Sequence, residues 1–186
     1  VSTREGTVAS EFQRRKVAAV LDAMDVDSDG LLDESDFVAL ARRWTEVRQW
    51  PTGSPGHLRL IEIMMGWWHT LLAAADANHD NKVSMDEVLA VVDRLPGELH
   101  DAVVATANAM FDAIDENGDD LISGDEYRQL ISTWTGLDTD TDYVFALMDA
   151  NGDGYLDRTE FIELWTEFWA GDDPEAAGTW VFGRFE

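Results

Sequence analysis

The chain has 186 residues, with 38 acidic side chains against 13 basic ones. Its formal net charge of −25 repels the phosphates of nucleic acids and anionic membrane surfaces alike, so neither is an expected partner. There is no cysteine, which removes disulfides, thiolate metal sites and cysteine nucleophiles, and the 45% of hydrophobic residues is enough for a core despite the charge.

The opening stretch VSTREGTVASEFQRRKV has no apolar signal core. Helical periodicity then predicts a helix over 10–24, running into the acidic window DVDSDGLLDESD from Asp25. A second helix is predicted over 34–48, followed by a turn in WPTGSPG, 50–56. The third, over 57–75, holds the most apolar run, IEIMMGWWHTLLAAA. Glu62 and His69 interrupt that run, and it is shorter than the roughly 20 residues of a membrane span, so it reads as a buried helix. The window DANHDNKVSMDE starts at Asp76, with a helix predicted over 85–94. In RLPGEL, 94–99, Pro96 and Gly97 mark a hinge dividing the chain into halves 1–95 and 96–186. Helices over 98–114 and 124–134 flank DENGDDLISGDE from Asp115, and helices over 139–148 and 158–169 flank DANGDGYLDRTE from Asp149. The tail GDDPEAAGTWVFGRF carries Trp180, Phe182 and Phe185, which are expected to dock onto the body.

The four acidic windows share one twelve-residue pattern. Position 1 is Asp25, Asp76, Asp115 or Asp149, position 3 is Asp27, Asn78, Asn117 or Asn151, and position 5 is Asp29, Asp80, Asp119 or Asp153. Position 9 always carries an oxygen (Asp33, Ser84, Ser123, Asp157), and position 12 is a carboxylate (Asp36, Glu87, Glu126, Glu160). A hard cation such as Ca²⁺ takes six to eight oxygens at about 2.3–2.6 Å, and a loop wrapped round it points alternate side chains inward. Position 7 then contributes its backbone carbonyl, so its residue type is free: Leu31, Lys82, Leu121 and Tyr155. This is the EF-hand loop, and four copies in register exclude chance.

The flanks agree with the loops. Leu21, Leu72, Phe111 and Phe145 precede each loop by four residues, with Met24, Ala75, Ile114 and Met148 immediately before it. Phe37, Val88, Tyr127 and Phe161 follow at position 13, and Leu40, Val91, Leu130 and Leu164 at position 16. These offsets give each helix one apolar stripe. The expected fold is all-α: four hands in two pairs, packed into one globule, with the apolar position-8 residues of each pair (Leu32 and Val83, Ile122 and Leu156) bridging antiparallel.

The loops differ in quality. The fourth conforms throughout. In the third, Asp120 stands at position 6 where Gly usually provides a left-handed turn, and it reads as a backbone hinge rather than a ligand. The second has Asn81 there and is less anionic because of Lys82 and Ser84, so it either binds or only keeps the fold. The first has Asp at all five side-chain positions. Asp36 is one methylene shorter than Glu, and either a smaller shell admits Mg²⁺ or Asp36 moves closer and Ca²⁺ binds normally. The expectation is three to four Ca²⁺ sites, with Mg²⁺ an alternative at the first. Four divalent ions would offset about a third of the net charge.

These loops, the long connection between hands one and two, the many Trp residues and the DDPEAAGTWVFG ending resemble the sarcoplasmic calcium-binding proteins, calerythrin-like members included. The resemblance implies a globule whose halves pack through aromatic surfaces and a role in buffering or carrying Ca²⁺. In that family the second hand is often degenerate, whereas here Asp76, Asn78, Asp80 and Glu87 are retained. The expectation is a monomeric cytoplasmic buffer, with no protein target indicated. A Ca²⁺ sensor is the first alternative, weighed down by 8 Trp and 8 Phe against 6 Met. A relative of the coelenterazine-dependent photoproteins and luciferin-binding proteins is the second. Trp67/Trp68 and Trp165/Trp169 could line such a cavity, but no His accompanies Trp165 and Trp169 in the last helix. The four His are scattered, and no nucleophile motif or Gly-rich phosphate loop is present, so no enzyme is expected.

Overall fold

Most helices of this protein begin where a short polar side chain can take up a free backbone amide. The computed structural model describes residues 10–94, 100–138 and 140–183. Ser10 caps α1 (Glu11–Met24), Asp33 caps α2 (Glu34–Val47), and Ser54 caps α3 (Pro55–Ala75). Ser84 caps α4 (Met85–Val92). The second half contains α5 (His100–Ile114), α6 (Gly124–Thr135), α7 (Asp142–Met148) and α8 (Arg158–Ala170), with Ser123 and Asp157 capping α6 and α8. A short 3-10 helix, Ala177–Trp180, lies in the tail.

These eight helices match the predicted ones to within about three residues, the usual uncertainty of helix ends. Helix α3 starts two residues early because Pro55, with its fixed φ and missing N–H, suits a first helical position and Ser54 precedes it as cap. Most of the predicted hinge, including Pro96 and Gly97, and Phe185 of the tail fall outside the described residues.

Four short strands tie the loops in pairs. β1 (Leu31–Leu32) runs antiparallel to β2 (Val83–Ser84), with Leu32 opposite Val83. β3 (Leu121–Ser123) runs antiparallel to β4 (Tyr155–Asp157), with Ile122 opposite Leu156. All four position-8 side chains are buried, so the predicted bridge forms in both pairs.

The apolar stripes meet in one core. Of the sixteen flanking residues, only Leu72 and Val91 are less than fully buried. The halves join where α3 packs on α5 and α2 on α6. There Trp67 of α3 stacks on Trp134 of α6 with centroids 5.7 Å apart, and meets Trp165 of α8 edge-on at 5.9 Å. The tail completes this seam. Phe182 lies 4.8 Å from Phe168, 4.9 Å from Trp165 and 5.1 Å from Trp134. It is held there by Tyr127, whose hydroxyl donates to the Trp180 carbonyl at 2.8 Å. Gly178 allows the close approach, since a Cβ at that position would sit 2.5 Å from the Leu164 carbonyl oxygen.

Basic side chains of the first half cap helix ends in the second. Arg48 donates to the Ile114 carbonyl at the end of α5 at 2.8 Å, and Arg43 to the Thr133 carbonyl near the end of α6 at 3.1 Å. Lys16 of α1 is fully buried and donates to the carbonyls of Phe168 at 2.7 Å and Gly171 at 2.8 Å. These cations sit at the negative ends of the helices they touch.

Burial lowers the Lys16 pKa to about 8 even though Asp172 and Glu167 oppose the shift. In the unfolded chain its pKa is roughly 10.4. Between those values the unfolded state binds more protons, so the Lys16 contribution to stability rises with pH. Chemical denaturation at saturating Ca²⁺ is therefore expected to show stability climbing from about pH 8 to 9.5. In Lys16→Met that climb should be absent, whatever the variant's absolute stability.

Candidate metal centres

Each loop is organised from its first residue. The position-1 carboxylate accepts the backbone N–H of position 6 in every loop: Gly30 to Asp25 at 2.8 Å, Asn81 to Asp76 at 3.1 Å, Asp120 to Asp115 at 3.0 Å, and Gly154 to Asp149 at 2.8 Å. The position-5 N–H reaches the same carboxylate in all four. The turn needs a positive φ at position 6. Gly30 and Gly154 supply it freely at 83° and 88°, while Asn81 and Asp120 adopt it at 62°. Asp120 is thus a backbone hinge, and its side chain turns away to Arg158 at 2.9 Å.

The other end of each loop is a capping box. Position 9 is the N-cap of the exiting helix, and position 12 is its N3 residue reaching back to the cap's N–H. Ser84 Oγ donates to Glu87 and Ser123 Oγ to Glu126, each at 2.8 Å. The carboxylates of Glu87 and Glu126 also accept the position-2 amides of Ala77 and Glu116, folding the helix start over the loop. Asp36, though shorter, accepts the equivalent amides of Val26 and Asp33, each at 2.9 Å. It is buried, and burial raises its pKa. In the fourth loop Glu160 accepts from Asp157 N–H at 3.0 Å and from the Asn151 side-chain amide at 2.9 Å.

The donor set suits a hard divalent cation, being oxygen throughout. In the first loop, carboxylate oxygens of Asp25, Asp27 and Asp29 all lie within 4.8 Å of one another. The position-7 residues Leu31, Leu121 and Tyr155 lie in the strands and Lys82 directly precedes one, which fixes their backbone between loop and partner strand. The position-3 asparagines turn their oxygens to position-5 amides at 2.8 Å in loops two, three and four.

Two bridges between loops carry no repeat signature. Lys82 of the second loop extends to the first, with Nζ 3.1 Å from both Asp29 Oδ2 and Asp33 Oδ2. Its hydrogen bond holds the Asp29 carboxyl below the usual range. Arg158 of the fourth loop reaches the third hand, at 2.8 Å from Asp112 and 2.9 Å from Asp120, with Phe111 beneath its guanidinium. Lys82 and Arg158 are the only basic residues within the four loops, which is the one signal the sequence offers for them.

Known proteins share these features. The family model described as an EF-hand domain pair matches residues 105–166, and that described as an EF hand matches 17–41 and 69–92. The beta chain of a sarcoplasmic calcium-binding protein from Penaeus sp. is 28% identical over 178 residues, covering 86% of this chain and 88% of the relative. Among solved structures, the amphioxus sarcoplasmic calcium-binding protein aligns with a TM-score of 0.71 at 21% identity, over 95% of this chain and 99% of that one. The coelenterazine-binding protein of Renilla muelleri in its Ca²⁺-loaded apo form gives a TM-score of 0.72 at 20% identity, over 95% and 100%.

Asp36→Glu restores the usual reach at position 12 and is expected to raise the first loop's preference for Ca²⁺ over Mg²⁺ by about tenfold. The Gly30 amide resonance, tied to Asp25, reports this loop in titrations with either ion. Equal ratios in variant and parent would refute the expectation. Four oxygen-lined loops, two paired bridges and the family-model matches place the chain in the EF-hand family, with similarity to sarcoplasmic calcium-binding proteins.

Proposed function

We propose that the protein is a Ca²⁺ buffer or carrier that loads ions at three to four of its loops and keeps its apolar interior closed. The ions are held by the oxygens at positions 1, 3, 5, 9 and 12 and the carbonyl at position 7. One observation carries the reading. The aromatic face that a sensor would open towards a target is already occupied, by Trp67 against Trp134 and Trp165 and by Phe182 from the protein's own tail. Four of the six methionines, Met24, Met64, Met110 and Met148, are buried with them. A monomeric, cytoplasmic protein is the reading that goes with the sarcoplasmic relatives. Among the described residues no helix is long and apolar enough to cross a membrane.

The carboxylates serve metal in this account, and the histidines serve structure or solvent. His57 Nδ1 accepts the Gly53 N–H at 3.0 Å in the turn before α3, and His69, His79 and His100 are exposed. One observation favours a second reading, an organic ligand of the coelenterazine kind. Trp67, Leu71, Val88, Val103 and Trp169 line an apolar depression of about 70 Å³, which the surrounding helices would have to widen to admit such a ligand. Mixing the protein with coelenterazine and recording an absorption shift tests that reading directly.

On the buffer reading, saturating Ca²⁺ changes the fluorescence of a hydrophobic dye by less than about twofold. A severalfold brightening would instead assign a sensor. Phe182→Ala should cost about 3–5 kcal/mol in urea unfolding at saturating Ca²⁺, as expected for a buried aromatic, and should let the dye bind.

A further inference from the structure

The two loops of the first pair differ in the groups available to their position-5 carboxylate. In the second loop the free oxygen of Asp80 accepts the side-chain amide of Asn78 at 3.0 Å, and in the third Asp119 accepts that of Asn117 at 3.0 Å. The first loop has Asp27 at this place, which as a carboxylate donates nothing. There Asp29 Oδ1 accepts the Leu31 N–H at 2.8 Å, and Oδ2 is taken by Lys82 from the neighbouring loop at 3.1 Å. The same ammonium holds Asp33 Oδ2 at 3.1 Å. Both oxygens belong to positions at which the loop would offer ligands. The other cross-loop cation, Arg158, differs on this point. It binds Asp112, which lies in α5, and Asp120 at position 6, leaving the third loop's ligand oxygens alone.

We propose that Lys82 is a tethered counter-cation of the first loop, which neutralises Asp29 and Asp33 in the metal-free protein and competes with the incoming divalent ion for them. This rests on the reading of loops one and two as cation sites. It sets the affinity of the first loop below what five aspartates would give and links the two loops of the pair. To bind an ion, the first loop must release the ammonium, whose backbone carbonyl belongs to the second. The released charge stays within a few ångströms of both sites and opposes filling both. The effect comes from charge, so it applies to Ca²⁺ and Mg²⁺ alike, unlike a change of reach at position 12. The three side chains are partly exposed, at 35%, 39% and 29%, so salt screens the interaction.

The test uses the full chain and its Lys82→Met and Lys82→Arg variants, titrated with Ca²⁺ or Mg²⁺ alone. The amide resonances of Gly30, Asn81, Asp120 and Gly154 report the four loops separately, because each N–H is bonded to its loop's first carboxylate. Lys82→Met is expected to tighten the first loop about tenfold for both ions at low salt, with the gain shrinking in 0.5 M salt on the order of severalfold. Lys82→Arg should stay near the parent, and the Gly154 midpoint should not move. Without metal, Lys82→Met should lower the melting temperature by a few degrees, because the aspartates lose their partner. A first-loop midpoint within twofold of the parent in Lys82→Met, or an equal gain in Lys82→Arg, overturns the proposal. A Gly30 resonance that responds to neither ion in parent and variants alike would instead remove the cation site itself.

Discussion

Confinement of like charge governs this molecule. Each loop folds its acidic side chains inward over a single turn, and the first loop does so with five aspartates. Backbone amides meet part of the demand, since every position-1 carboxylate accepts two or more of them. Amides carry only partial charge, so the remainder must come from cations, whether dissolved ions or basic side chains of the protein. The loops are anchored at both ends by helices whose other faces are buried. The charge cannot relax by unwinding a loop without also disturbing the core.

That core is a single aromatic assembly rather than two separate ones. Trp67 belongs to the first half and Trp134, Trp165 and Phe182 to the second, and their rings touch. Arg43 and Arg48 reinforce the junction by closing helix ends across it. Arg48 also lies 3.6 Å from Glu116 of the third loop, between the rings of Trp44 and Trp50. The third loop is thus in direct contact with the connection between hands one and two.

Much of this was legible in the sequence because it is local. Loop spacing, helix extents and the apolar stripes depend on residues a few positions apart, and the four-fold repetition made each reading support the others. The antiparallel bridges followed from the position-8 residues. What the sequence did not reveal depends on long side chains crossing between distant segments. Nothing in the spacing of Lys82 says that it reaches Asp29 and Asp33, and nothing near Lys16 says that it ends on carbonyls of α8. The capping boxes were partly visible, since an oxygen at position 9 and a carboxylate at position 12 were noted as ligands. Their second role, in starting the exiting helix, appears only once the backbone is known. The aromatic tail was expected to dock, but its place between Trp134, Trp165 and Phe168 is set by the global packing.

The anchoring of the first helix on the last has a consequence for biosynthesis. Among the described residues Lys16 finds its acceptors at Phe168 and Gly171, and Gln13 donates to the Trp169 carbonyl at 3.0 Å. While the ribosome is still translating the third and fourth hands, the emerging first helix lacks both carbonyls for its ammonium, and Trp67 has Phe37 beside it but neither Trp134 nor Trp165. The nascent N-terminal half can fold its loops but cannot seal its interior. Closure waits for α8 to leave the exit tunnel, so the two halves seal together in one late step.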